Sequence, residues 1–203
     1  MMQLLASPLS PYARKVRLVA AIKGLGDRVT MVPADTNPGD SVAINTANPL
    51  GKIPVLIVEG LHIFGSHVIC EYLDSLAPAP MLFPKVGPAR WDTLVRASLA
   101  DGVLEAALLL VYEQRFRPED KWHAPWQQRQ QAKIDRALDS LERRPPATPA
   151  VPDYGDVTLA CALGYLDFRH AGVWRGPHPR LVAWLDAFAA TTPAFAETRP
   201  DAA

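Results

Sequence analysis

The chain has 203 residues, 49% of them apolar, which suits one large domain or two small ones with ample side chain for a buried core. Lys plus Arg and Asp plus Glu balance at 21 each, so there is no electrostatic footprint for nucleic acid or an anionic membrane, and a small-molecule ligand is expected. No stretch approaches the roughly 20 uninterrupted apolar residues of a membrane span, and no charged region followed by an apolar one opens the chain, so the expectation is a soluble, cytoplasmic protein.

Met2-Gln3-Leu4-Leu5-Ala6 is an apolar run that predicts a first strand, and Ser7-Pro8-Leu9-Ser10-Pro11-Tyr12 hands it to a helix. Ser10 suits the N-cap and Pro11 the first helical position, and Val16, Val19, Ala20 and Ile22 supply the apolar stripe. The Ser10 hydroxyl is either a plain cap or, because free N–H groups at a helix start attract anions, a group that meets a thiolate or carboxylate. Residues 28–33 predict a second strand, with Pro38-Gly39-Asp40 and residues 45–49 as loop and irregular turn. Residues 52–58 are β-rich, Glu59-Gly60 is a turn, and residues 61–64 are the partner strand of a hairpin. Gly65-Ser66 then starts a helix with Val68, Ile69, Tyr72, Leu73 and Leu76 as apolar positions, ending before Pro78.

The 20 prolines are about twice the usual share and fall at joints. Pro78, Pro80, Pro84 and Pro88 with Gly87 read as a linker, after which strand signals disappear. Helices are expected over 89–116, 126–143 and 179–190. A further helix follows Asp153-Tyr154-Gly155-Asp156, a capping box with aspartates where Ser and Glu are commoner, and its apolar sequence makes it the centre of a second core. The tail, 193–203, carries little pattern. The expected organisation is an α/β domain over 1–77, a linker over 78–87 and an all-helical domain over 88–203.

Ile53-Pro54 sits between a turn and a strand, where a trans proline would remove a ladder hydrogen bond. A cis bond would present the N–H and C=O of Ile53 to an extended peptide; the other reading is an edge-strand proline that limits aggregation. Ser66 heads a helix, either as a plain N-cap or as a carboxylate-binding hydroxyl. Lys52 is either a solvated charge or a partner for an anionic ligand. Cys70 and Cys161 sit in apolar helical patterns and read as reduced core thiols; with no Cys-x-x-Cys or His-rich spacing, no metal is expected.

Ser-Pro-Tyr at the first helix start, Asn-Pro-Leu-Gly-Lys-Ile-Pro-Val-Leu over 48–56 and Gly-Ser-x-x-Ile-x-x-Tyr-Leu over 65–73 stand in one order. With Ala100-Asp101-Gly102 and the capped apolar helix after Asp153, the chain resembles a cytosolic glutathione S-transferase over nearly its whole length. The Ser-Pro-Tyr-x-Arg-Lys opening and the run over 162–169 are most similar to bacterial serine-type members. The resemblance implies a thioredoxin-like N-terminal domain, an all-α C-terminal domain and a homodimer that uses glutathione as co-substrate in detoxification. It makes Ser10 the catalytic hydroxyl that donates to the glutathione sulfur, Ile53 the backbone partner of the cysteinyl part and Pro54 the cis proline. Lys52 would meet the glycyl carboxylate, and Ser66 with its helix the γ-glutamyl carboxylate. Many relatives place Glu or Asp before that serine to hold the γ-glutamyl ammonium, where this chain has Gly65. Asp101 either reaches that ammonium across a dimer interface or serves helix packing. Tyr112, Phe116 and Trp122 are candidates for the second-substrate pocket, or core aromatics at helical spacing.

The implied mechanism asks for a modest energy. Lowering a thiol pKa by about two units from 8.5 takes roughly 2.7 kcal/mol. One hydroxyl donor to an anion supplies about 1.5–3 kcal/mol and the helix start about 0.3–1. Ser7 is the rival hydroxyl, at the strand end rather than the helix start. A serine rather than a cysteine at this position favours thiolate addition to a small electrophile, or peroxide reduction, over disulfide chemistry. The alternative is a non-catalytic binding or regulatory protein on the same fold, which Gly65 keeps open.

Overall fold

The computed structural model describes residues 1–34, 36, 42–148 and 150–200. They form two compact units, one of Met1–Lys85 with the segment from Thr192 onward, the other of Val86–Thr191.

The first unit runs β1 (Met2–Ala6), α1 (Pro11–Ile22), β2 (Val29–Pro33), α2 (Val42–Ala47), β3 (Val55–Val58), β4 (Leu61–Phe64) and α3 (Ser66–Ser75). The sheet order is β2-β1-β3-β4, with β2 parallel to β1, β3 antiparallel to β1, and β4 antiparallel to β3. This is the thioredoxin-like arrangement: a parallel pair that needs a helical crossover, here α1, followed by a hairpin that needs only a two-residue turn. Glu59 and Gly60 make that turn with φ of 49° and 83°, as a hairpin with matched twist requires. Because side chains alternate across a strand, Leu4 and Leu56 share one face while Leu5 and Val55 share the other. On the second face Leu5 and Val55 cluster with Ala47 of α2. Elsewhere in the unit's core α1 packs on α3, burying Val16, Val19 and Ala20 of one helix and Ile69, Cys70 and Leu73 of the other.

Three expectations for this unit need correction. Residues 45–49 were to be an irregular turn, yet 45–47 complete α2, because Ile44 and Ala47 lie one turn apart and are buried together. Burial outweighs the weak helix preference of Asn and Thr there. The loop expected at Pro38-Gly39-Asp40 lies outside the described residues. The stretch expected as linker is stitched to the first unit: Leu82 and Phe83 are buried, and their N–H groups donate to Asp74 at 3.0 and 3.2 Å. Buried Lys23 donates to the same carboxylate at 2.8 Å and to the carbonyls of Ala77 and Pro80, both at 2.6 Å. The tail, counted above with the helical domain, forms α8 (Ala194–Glu197) and packs on α1.

The second unit contains α4 (Gly87–Phe116), α5 (Ala124–Arg143), α6 (Tyr154–Arg169) and α7 (Pro179–Thr191). The side chains α4 buries are mostly small, Ala97, Ala100, Ala106 and Ala107 among them, which lets α6 approach closely. Residues from Tyr154 to Leu163 on α6 are all buried, so it is the central helix the sequence led us to expect. Both bonds of its capping box form: the Asp156 N–H donates to Asp153 at 2.9 Å, and the Asp153 N–H donates to Asp156 at 3.0 Å. Cys70 and Cys161 are both buried and are not joined in a disulfide. Among the described residues no helix is long and apolar enough to cross a membrane.

Candidate functional site

The sheet register decides which loops meet. Leu5 pairs with Val55 and Val55 with Phe64, so the C-terminal end of β1, the N-terminal end of β3 and the C-terminal end of β4 coincide. Residues just after β1, just before β3 and just after β4 therefore gather at one end of the sheet. These are Ser7 to Ser10, Lys52 to Pro54, and Gly65 with Ser66. Strands are spaced about 4.8 Å apart, so β1 and β4 on either side of β3 stand about 10 Å apart. The strand order sets the sequence across this end: Ser10, then Ile53-Pro54, then Ser66. Two helices, α1 and α3, start here, and the first N–H groups of each carry partial positive charge.

Ser10 is the N-cap of α1, extended at φ −78° and ψ 121°, and its Oγ accepts from the Ala13 N–H at 3.2 Å. Among the described residues nothing accepts its hydroxyl proton, so that proton is available to a ligand while the oxygen caps the helix. The Ser7 hydroxyl accepts from the Leu9 N–H at 3.3 Å, one turn before the helix begins. The Ile53-Pro54 bond is cis, as the sequence suggested. Asn48, not singled out from the sequence, shapes the approach to it: its side chain accepts from the Leu50 N–H at 3.0 Å and donates to the Lys52 carbonyl at 2.8 Å. The only signal available was an Asn before Pro49, a turn former whose partners lie two and four residues on. Lys52 itself is exposed.

Ser66 is not the N-cap expected of it. Gly65 occupies that position at φ 83° and Ser66 is the first helical residue, so no side chain caps α3. A positive φ suits glycine, and a side chain at 65 would be strained there although a Cβ would meet only Val68, at 3.7 Å. Val68, expected on the apolar inner face, is 53% exposed.

The other candidates belong to the second unit. Asp101 is half-buried midway along α4, beside the buried Ala100. Tyr112 and Phe116 lie one turn apart near the end of α4, in edge contact at 5.0 Å between ring centres. The Trp122 indole donates to the Arg117 carbonyl at 3.0 Å, closing the end of the same helix. Tyr165, near the end of α6, has its phenol pushed up to about 12, chiefly by burial. Among the described residues no cluster of His, Cys, Asp and Glu could hold a metal ion.

Comparisons with known proteins agree with this architecture. The glutathione S-transferase N-terminal domain model matches residues 9–76, and the C-terminal domain model matches residues 124–187. The uncharacterized GST-like protein YibF of Escherichia coli (strain K12) is 33% identical over 205 residues, 98% of each chain. A glutathione transferase family member from Pseudomonas fluorescens Pf-5, crystallised with bound glutathione, superposes with a TM-score of 0.95 at 39% identity over 100% of both chains. A structure from the same organism with bound S-(propanoic acid)-glutathione gives a TM-score of 0.89 at 39% identity, covering 99% of this chain and 100% of that one. The chain belongs to the glutathione S-transferase family.

Proposed function

We propose that this protein is a homodimeric, serine-type bacterial glutathione transferase that binds glutathione across the end of the sheet and adds its thiol to a small electrophile, or uses it to reduce a peroxide. One observation carries the reading. The hydroxyl at the start of α1, the cis proline before β3 and the uncapped start of α3 converge at one sheet end in the order a tripeptide would meet them. Ser10 donates its proton to the sulfur and stabilises the thiolate, with the start of α1 adding its partial charge. Ile53 offers its main chain to the cysteinyl part; among the described residues nothing else engages it. The start of α3 with Ser66 takes the γ-glutamyl carboxylate and Lys52 the glycyl carboxylate. Asp101 is assigned to the γ-glutamyl ammonium from the partner subunit, and Tyr112, Phe116 and Trp122 to the second substrate. Bound glutathione and a bound glutathione conjugate in 39%-identical relatives support both halves of the reaction.

The test is to titrate the thiol of bound glutathione by ultraviolet absorbance and to measure turnover over a panel of electrophiles and peroxides. In Ser10→Ala the bound thiol pKa should rise by about one to two units, the loss of one charge-assisted hydrogen bond, and kcat should fall about 10- to 100-fold. Ser7→Ala should leave both nearly unchanged. The converse pattern would hand the role to Ser7.

Gly65 favours one rival reading, a non-catalytic binding or regulatory protein, because it supplies no carboxylate for the γ-glutamyl ammonium. Failure to bind immobilised glutathione, together with no thermal shift on adding it, would establish that reading in place of the enzyme.

A further inference from the structure

We propose that Arg14 is a positioning residue which holds the start of α1, and therefore Ser10, by gripping the C-terminal segment of the chain; the inference rests on the reading of Ser10 given above. Arg14 is 5% exposed. Its Nη2 donates to the Phe195 carbonyl at 2.6 Å, its Nε donates to the Thr198 hydroxyl at 3.4 Å, and its guanidinium lies 4.0 Å from the centre of the Phe195 ring. The Thr198 hydroxyl donates in turn to the Ala194 carbonyl at 2.7 Å, which leaves its oxygen free to accept from Arg14. Arg17, three residues farther along the helix, donates to the Thr198 carbonyl at 3.4 Å. Through its main chain the same Arg14 donates to the Ser10 carbonyl at 3.0 Å, the first hydrogen bond of α1. A single residue thus ties the N-cap serine to a segment more than 180 positions away in sequence.

The start of a helix is where such a tie matters most. First-turn N–H groups have no partner in the helix ladder and the end frays, so the orientation of an N-cap hydroxyl depends on what else restrains that turn. Local sequence supplies little restraint here beyond Ser10 and Pro11. The first turn of α1 has no acidic residue, and Arg14 and Lys15 place cations toward the positive end of the helix dipole. A buried cation in that location is unfavourable unless it is well partnered, and an apolar side chain would fill the space without that cost. What the guanidinium adds is a planar fork that meets a carbonyl, a hydroxyl and a ring face at once. The geometry is that of a brace for the residue one turn before it.

The test uses the full chain carrying Arg14→Lys, Arg14→Met, Phe195→Ala or Thr198→Val, none of which alters Ser10. The first readout is amide hydrogen exchange. Phe195→Ala and Thr198→Val should speed exchange at the N–H groups of residues 13–17 by about tenfold, while β1 and α3 keep their protection. The second is the pKa of the bound glutathione thiol, which should rise by about half a unit or more, with kcat reduced and KM for glutathione retained. Arg14→Lys keeps a donor for the Phe195 carbonyl and should recover part of both effects that Arg14→Met loses. Unchanged exchange in the Phe195 and Thr198 variants, or exchange that rises evenly through the first unit, overturns the proposal. The exchange readout needs no ligand: if Ser10→Ala leaves the thiol pKa unmoved, the reading of Ser10 fails while the brace is still decided. Where Arg14→Met does not fold, the two remote substitutions carry the decision.

Discussion

Asp153 and Asp156, three residues apart at the head of α6, titrate in opposite directions. Burial, and then the neighbouring charge of Asp153, push Asp156 up from the ordinary 3.8 to about 6. Burial works against Asp153 too, but hydrogen bonds from Arg96 and from the Thr93 hydroxyl, the latter at 2.6 Å, hold it below the usual range. For Asp156 the folded chain keeps a proton that the unfolded chain gives up between about pH 4 and 6. Its ionisation therefore costs stability as pH rises through that window, and the full cost is present at neutral pH. Asp153 has the opposite sign, stabilising above the ordinary carboxylate range and losing that contribution as pH falls through its lowered value. Asp156→Asn removes one titration and keeps an acceptor for the Asp153 N–H. Between pH 4 and 6.5 its stability relative to the parent should improve by on the order of 2 kcal/mol, read from urea unfolding at each pH. A constant difference across that range would mean that Asp156 ionises as easily folded as unfolded.

At the scale of elements, what could be read from sequence is what neighbouring residues decide among themselves. The Ser10–Pro11 start of α1, the Glu59-Gly60 hairpin and the capping box of α6 depend on side chains within three residues of the backbone groups they serve, and all three form. The misreadings lie where a distant partner decides: α2 exists because Ile44 and Ala47 are buried, and α8 has Arg14 to bind. Ser66 likewise yields the cap position to Gly65, whose positive φ only a glycine accepts easily. The candidate site shows the same division. Ser10, Pro54 and Ser66 stood out one by one as punctuation between strands and helices, while the register that brings them to one sheet end is a property of three paired strands. Gly155 shows how closely such an element can be fitted. A Cβ there would lie 2.8 Å from both the Thr93 carbonyl oxygen and Arg96 Nε, and 3.1 Å from Asp153 Oδ1. The arginine can shift but the carbonyl belongs to α4, so Gly155→Ala should cost about 2 kcal/mol by overpacking. For a chain of this size that is a fall of about 4–8 °C in Tm by calorimetry.

At the scale of the molecule, the exposed apolar side chains bear on the homodimer proposed above. On α4, Trp91, Val95 and Leu99 follow one another at four-residue intervals along one face, and Trp91 and Val95 are 63% and 67% exposed. In the first unit Leu61, Phe64 and Val68 are exposed around β4, the edge strand of the sheet. Single exposed apolar residues are ordinary on a soluble protein, but a periodic stripe on a long helix and a set on a sheet edge suit a second copy of the chain. Light scattering at micromolar concentration should give about twice the 22.2 kDa of one chain. Val95→Glu combined with Leu99→Glu should give the monomer with helix content unchanged by circular dichroism, because neither side chain is buried in the subunit and Glu is a good helix former. A parent protein that stays at 22.2 kDa would sink the dimer, and with it the role given to Asp101, which needs a partner subunit. Asp101 also makes the outcome quantitative. If it holds the γ-glutamyl ammonium across the interface, the monomeric double variant and Asp101→Asn should each weaken glutathione binding by about 1.5–3 kcal/mol, and combining them should add nothing further, because both remove the same contact.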